Sequence, residues 1–122
     1  MSERTGFRIL VVEDEMLLVM MIEDMLLEFG CNAVVVASRT EQALKLIQSE
    51  RIDAALLDVN LHGEKSDRVA DALLTRGIPF IFCTGGSIVD LAPKFRDRPF
   101  LRKPFSYDDL SKKVTQLQLE SH

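Results

Sequence analysis

Five short apolar runs that never alternate with polar residues constrain this chain most: Ile9 to Val12, Ala33 to Ala37, Ala54 to Leu57, Phe80 to Cys83 and the briefer Phe100 to Leu101. A strand with one wet face alternates, whereas an unbroken run such as Val34-Val35-Val36 needs apolar cover on both faces. Parallel sheets with helical crossovers provide that cover. The segments between the runs carry helical patterns. Asp14 to Phe29 reads as a helix closed by Gly30, and Ser38 with Glu41 reads as a capping box ahead of a helix that places Ala43, Leu44 and Ile47 on one face. Glu64 to Arg76 reads as a third helix, stopped by Gly77. Ser87 to Phe95 reads as a short or irregular fourth, because Pro93 is tolerated only in a first turn. Ser106 to Leu119 reads as a fifth, with Leu110, Val114 and Leu117 as its buried stripe. Strand and helix alternate five times without a long linker or repeat, which predicts a three-layer α/β domain with a five-stranded parallel sheet and five helices. At 122 residues and 47% hydrophobic content, one core suffices and two would each be marginal. The expectation is a single domain over residues 1–122, with a core of about 7–119.

Charge and cysteine usage narrow the function. Fifteen Lys plus Arg against nineteen Asp plus Glu leave a net charge of -4, which opposes binding to nucleic acid through its phosphates. Cys31 and Cys83 lack zinc-site spacing and are too few for a disulfide framework, so they read as reduced thiols. Met1 to Arg8 has no signal-peptide plan, and the apolar run Met16 to Ile22 is far short of a membrane span. A cytoplasmic protein with no membrane or nucleic-acid partner is expected.

Parallel strands joined by right-handed crossovers bring their carboxyl ends to one rim. The residues just after the apolar runs then meet: Glu13 and Asp14, Asp58, Thr84, and Lys103 followed by Pro104. Three carboxylates repel one another unless a cation intervenes, and hard oxygen donors suit Mg²⁺. Asp14 and Asp58 are the expected direct ligands, the backbone carbonyl of Asn60 a third, and Glu13 an indirect ligand through water. With that charge offset, Asp58 can act as a nucleophile on an incoming phosphoryl group, with Lys103 and the Thr84 hydroxyl on phosphoryl oxygens. Alone, Glu13-Asp14 would read as a helix cap, Asp58 as a turn residue and Lys103 as a solvated charge; their convergence reverses that reading. His62 and His122 have no partner at metal spacing and read as exposed bystanders.

The Glu13-Asp14 pair, Asp58 in Asp58-Val59-Asn60-Leu61-His62-Gly63, Thr84 and Lys103-Pro104-Phe105 resemble the receiver domain of bacterial two-component response regulators, over nearly the whole chain. The resemblance implies a flavodoxin-like sheet of order 2-1-3-4-5, Asp58 as phosphoacceptor, Glu13 and Asp14 in metal binding, and Thr84 and Lys103 as sensors of the phosphoryl group. It also implies a sensor histidine kinase or histidine phosphotransfer protein as donor. Phe82-Cys83-Thr84-Gly85-Gly86 resembles the Phe-x-Thr-Gly signature of a mostly single-domain subgroup, in which Tyr often stands at the place of Gly86. Phe100 occupies the position of the family's aromatic switch residue, although without the hydroxyl of Tyr.

On the first helix, Leu18, Ile22, Met25, Leu26 and Phe29 share the face toward the sheet, while Met16 and Met20 point away with Val19 on the flank. Met16, Val19 and Met20 are therefore the expected docking residues, since Met adapts to varied partners, and the resemblance implies a histidine kinase or phosphotransfer protein as what docks there. Only three residues follow the last helix, so the expected role is a stand-alone switch that signals by phosphorylation-dependent binding to a downstream protein or by phosphorelay. Two rivals remain open at this point. One is a small aspartyl-phosphate phosphohydrolase, which generally wants an acid where Asn60 stands. The other is an adaptor that works unphosphorylated.

Overall fold

The computed structural model describes residues 7–31, 33–86 and 91–120. Strands β1 (Arg8–Val12), β2 (Ala33–Ala37), β3 (Ala54–Asp58), β6 (Phe80–Thr84) and β7 (Phe100–Arg102) form one sheet of order β2-β1-β3-β6-β7, every pair parallel. Two further strands, β4 (Asn60–Leu61) and β5 (Glu64–Lys65), make a separate antiparallel hairpin. With the hairpin set aside, the order is the expected 2-1-3-4-5. Helices α1 (Met16–Phe29), α2 (Thr40–Ser49), α3 (Asp67–Thr75) and α4 (Tyr107–Glu120) flank the sheet.

Successive side chains along each strand leave opposite faces of the sheet. Leu10, Val12, Ala55, Leu57, Phe80 and Phe82 pack on Ala43 and Ile47 of α2 and Val69 and Leu73 of α3. Ile9, Val11, Ala54, Leu56, Ile81 and Cys83 pack on Ile22 and Leu26 of α1 and Leu110, Val114 and Leu117 of α4. Both faces of the central strands are dry, which is the physical reason their sequence does not alternate. Helices α1 and α3 stop where Gly30 and Gly77 take left-handed φ values of 106° and 68°. There the N–H groups of residues 30, 31, 77 and 78 donate to the last free carbonyls of Leu27, Leu26, Leu74 and Leu73.

Four expectations are corrected. The third helix begins at Asp67, not Glu64, because Glu64 and Lys65 pair with Leu61 and Asn60 in the hairpin. The Ser38–Glu41 capping box does not form: Arg39 is the N-cap with no side-chain bond, and the Ser38 N–H donates to Gln42 Oε1 at 3.0 Å. Of the expected fourth helix, residues 87–90 lie outside the described part. The remainder is a single 3₁₀ turn, Pro93–Phe95, since a proline there offers no N–H to extend a helix. Among the described residues there are accordingly four α-helices, not five. A cap the sequence reading overlooked stands at α4: the Asp109 N–H donates to Ser106 Oγ at 3.0 Å, and the Ser106 N–H donates to Asp109 Oδ2 at 3.3 Å.

Candidate functional site

Five parallel strands carry the segments after β1, β3, β6 and β7 to one rim. Asp58 is the last residue of β3, in register with Cys83, and Thr84 is the last of β6, in register with Arg102. Glu13 follows β1 directly, its N–H held by the Ala37 carbonyl at 3.0 Å. Lys103 follows β7, its N–H donating to the Thr84 carbonyl at 2.8 Å, and its peptide bond to Pro104 is cis.

Glu13, Asp14 and Asp58 each present a carboxylate oxygen within 4.8 Å of the others. Lys103 Nζ lies 2.9 Å from Glu13 Oε1 and 3.4 Å from Asp58 Oδ1. Burial grades the acids: Glu13 is 2% exposed, the Asp58 side chain 11% and the Asp14 side chain 25%. Burial pushes the Glu13 carboxyl up to about 7, against the hydrogen bond from Lys103 and with the help of the Asp58 charge. Burial also raises Asp58 above the usual carboxylate range, opposed by Lys103. For Lys103, burial pulls the ammonium down, but the bond to Glu13 and the charges of Asp58 and Glu13 outweigh it and leave it raised. One half-buried cation is thus shared between two buried acids, and a third acid stands at the mouth. Three hard oxygen donors in one cluster, one of them reachable from solvent, match the preference of Mg²⁺ for carboxylates with room for water.

Backbone donors hold the set. The Glu15 N–H donates to Glu13 Oε2 at 3.2 Å, the Asn60 N–H to Asp58 Oδ1 at 3.5 Å, and the His62 N–H to Asp14 Oδ2 at 2.7 Å. Thr84 is 4% exposed, and its hydroxyl oxygen accepts the Gly86 N–H at 3.0 Å. Asn60 lies in β4, exposed beside the acids. Phe100 is partly buried against the α2–α3 side of the core, and the Arg102 guanidinium lies 5.9 Å from its ring. Every residue expected at the rim is there. His62, read from sequence as a bystander, is a hydrogen-bonding partner of Asp14; its role runs through a backbone amide, which leaves no side-chain signal.

On α1, Met16 and Met20 are 62% and 55% exposed, but Val19 is 2% exposed. Val19 therefore faces the interior and leaves the docking set: the helix is rotated far enough to bury what the idealised phase put on its flank. Leu17 and Met21, unassigned by that phase, line a cleft of about 430 Å³ with Leu18, Pro104 and Phe105, next to Lys103.

The described helices include none long and apolar enough to cross a membrane. A profile of the response regulator receiver domain matches residues 9–115. The transcriptional regulatory protein PdtaR of Mycobacterium tuberculosis is 32% identical over 107 residues, which cover 84% of this chain and 52% of PdtaR. The chain thus spans about half the length of this curated relative. Among solved structures, that of SdrG from Sphingomonas melonis Fr1 is 46% identical over 93% of this chain and 97% of its own, with a TM-score of 0.81. A CheY-like receiver domain protein of Methanospirillum hungatei JF-1 is 26% identical over 95% and 97%, with a TM-score of 0.80.

Proposed function

The chain belongs to the response regulator receiver domain family, a family of signalling modules and not of classical enzymes, and from that premise we propose that Asp58 accepts a phosphoryl group from the phosphohistidine of a sensor histidine kinase or histidine phosphotransfer protein. The observation that carries this reading is the position of Asp58: at the end of a central strand, near enough to Lys103 for an ion pair at 3.4 Å, and clustered with two further acids.

An oxygen of the Asp58 carboxylate attacks phosphorus while the phosphorus–nitrogen bond breaks. The bonding electrons leave with the donor's imidazole, which takes up a proton. Asp14, Asp58, the Asn60 carbonyl and, through water, Glu13 are the groups that would hold Mg²⁺, and Mg²⁺ bound there offsets the negative charge that acids and phosphoryl oxygens bring together. Lys103, tethered between Glu13 and Asp58, supplies an ammonium to a phosphoryl oxygen. The Thr84 hydroxyl, accepting from Gly86 N–H, keeps its own proton to donate to another. The chain thus catalyses only its own phosphorylation and dephosphorylation.

Met16, Met20, Leu17 and Met21, all exposed on α1, with Leu17 and Met21 lining the cleft beside Lys103, form the surface that receives the donor protein. Output runs through the face made by β7 and α4, where Phe100, Arg102, Lys112 and Lys113 line a shallow groove. SdrG has also been solved in a BeF3-activated conformation, at 46% identity to this chain and a TM-score of 0.79. That likeness supports a phosphorylation-driven change here.

The test is mass spectrometry after incubation with Mg²⁺ and acetyl phosphate. One added phosphoryl group is expected on the parent protein and none on Asp58→Asn. A parent protein that stays unmodified, with or without a phosphorylated kinase, refutes the proposal.

A further inference from the structure

The hairpin between β3 and α3 delivers backbone donors to two different acids, Asn60 N–H to Asp58 and His62 N–H to Asp14. Its strands Asn60–Leu61 and Glu64–Lys65 are joined by His62 and Gly63 alone, with φ values of 51° and 80°. Two successive left-handed residues in a two-residue connection are the pattern of a type I′ turn, for which Asn-Gly is the best pair and His at the first position is unusual. The turn is anchored at its base. Thr40 Oγ1 donates to Glu64 Oε1 at 2.9 Å, and the Ser66 N–H and hydroxyl both donate to the Val59 carbonyl, at 3.0 and 3.1 Å. A left-handed φ at His62 is therefore held from both ends, and it aims the His62 N–H at Asp14 Oδ2 with a short, charge-assisted 2.7 Å contact. The imidazole Nδ1 stands 3.9 Å from the same oxygen, beyond hydrogen-bond reach.

We infer that the backbone N–H of His62 is the group that orients Asp14 for cation binding, which makes His62 a positioning residue of the receiver site. The inference rests on the receiver reading above. Asp14 is the most exposed of the three clustered acids, with a side chain 25% exposed, so it has the most rotamer freedom to lose. A bond to one oxygen fixes the carboxylate plane and leaves the second oxygen to the cation. Partners of this kind behind metal ligands are typically worth 10- to 100-fold in affinity.

The experiment is an NMR titration with Mg²⁺ of the parent protein, His62→Asn and His62→Pro. Asn keeps the N–H and accepts the left-handed φ, so affinity within about twofold of the parent is expected, showing that the imidazole is dispensable. Pro has no N–H and holds φ near −65°, so a loss of about tenfold or more is expected. Because Pro also disturbs the turn, a second measurement on the parent separates positioning from folding. The His62 amide proton should be shifted downfield, protected from exchange, and should move with Mg²⁺ at the same midpoint as residues 14 and 58. A His62→Pro protein that binds Mg²⁺ like the parent, or a His62 amide that exchanges as a free loop amide does, overturns the inference and leaves the receiver reading intact. A parent protein whose residues 14 and 58 ignore Mg²⁺ overturns both.

Discussion

Replacing Asp58 with Asn should make the metal-free protein more stable. The Asp58 side chain is only 11% exposed and its oxygen lies 3.4 Å from Lys103 Nζ, a pair worth about 5 kcal/mol at an effective dielectric of about 20. Asp14, with an oxygen within 4.8 Å, repels it by about 3.5 kcal/mol on the same scale. Glu13, whose carboxyl burial raises to about 7, meets Asp58 through a side-chain hydrogen bond that lowers the Asp58 carboxyl. The net attraction is therefore only about 1.5 kcal/mol, less than the several kcal/mol that burying the charge costs. That balance agrees with the upward shift of the Asp58 carboxyl, for which burial is the largest cause. Asn keeps the shape and the acceptor for the Asn60 N–H while removing the buried charge. A gain of about 1–2 kcal/mol is expected near pH 7.5, seen as a urea midpoint about 0.5–1 M higher.

The sign with pH follows from linkage. An acid whose carboxyl is raised on folding binds more protons folded than unfolded, so its contribution is favourable at low pH and is lost as pH rises. The advantage of Asn must then shrink as pH falls toward the ordinary value of 3.8 and grow above it. Magnesium should remove most of that advantage: at ten times its dissociation constant it stabilises the parent by about 1.4 kcal/mol, and the variant by much less. An Asp58→Asn protein less stable than the parent at pH 7.5 without Mg²⁺, or equally stabilised by Mg²⁺, would show that the acids do not strain one another as described.

Three further outcomes are expected. Among the described residues no atom lies within 4 Å of a Cβ added at Gly86, and its φ is not left-handed, so Gly86→Tyr should fold normally and slow loss of label from phosphorylated Asp58 several-fold by shielding it from water; an unchanged hydrolysis rate counts against that role. A Met16→Asp, Met20→Asp double variant, and separately Leu17→Asp with Met21→Asp, should fold because these side chains are 48–73% exposed, yet accept phosphate from the kinase slowly while reacting normally with acetyl phosphate. Slowed reaction with both donors would indicate damage to the site instead of the docking surface. Burial pushes the Cys83 thiol up to about 12, and a raised thiol stays protonated and unreactive below that value. At pH 8 it should therefore resist iodoacetamide until urea unfolds the chain; rapid labelling of the native protein would contradict its 2% exposure.

Strand placement was legible along the chain because both faces of β3 and β6 are buried, and unbroken apolar runs such as Ala54–Leu57 have no other stable home. The rim residues followed from topology: once the strands are parallel, Asp58, Thr84 and Lys103 must share an edge, and their chemistry is carried by side chains that the sequence names. Helix phase was less legible. Val19 sits on the boundary of an idealised 100° wheel, and its 2% exposure was decided by how α1 rests on the sheet. The hairpin at Asn60–Lys65 was hidden because two-residue strands have too little periodicity to announce themselves, so Glu64 read as helix. Likewise Ser38 was expected to cap α2, while the matching cap at Ser106 and Asp109 passed unnoticed.

The sequence by itself determined which side chains could meet and what chemistry they share, since apolar patterning sets the sheet and the sheet sets the rim. Only the tertiary structure decided how the acids differ from one another. The burial of Glu13, the choice of Lys103 to lie closer to it than to Asp58, and the amide of His62 against Asp14 all depend on a few ångströms of packing and on backbone groups that every residue carries alike.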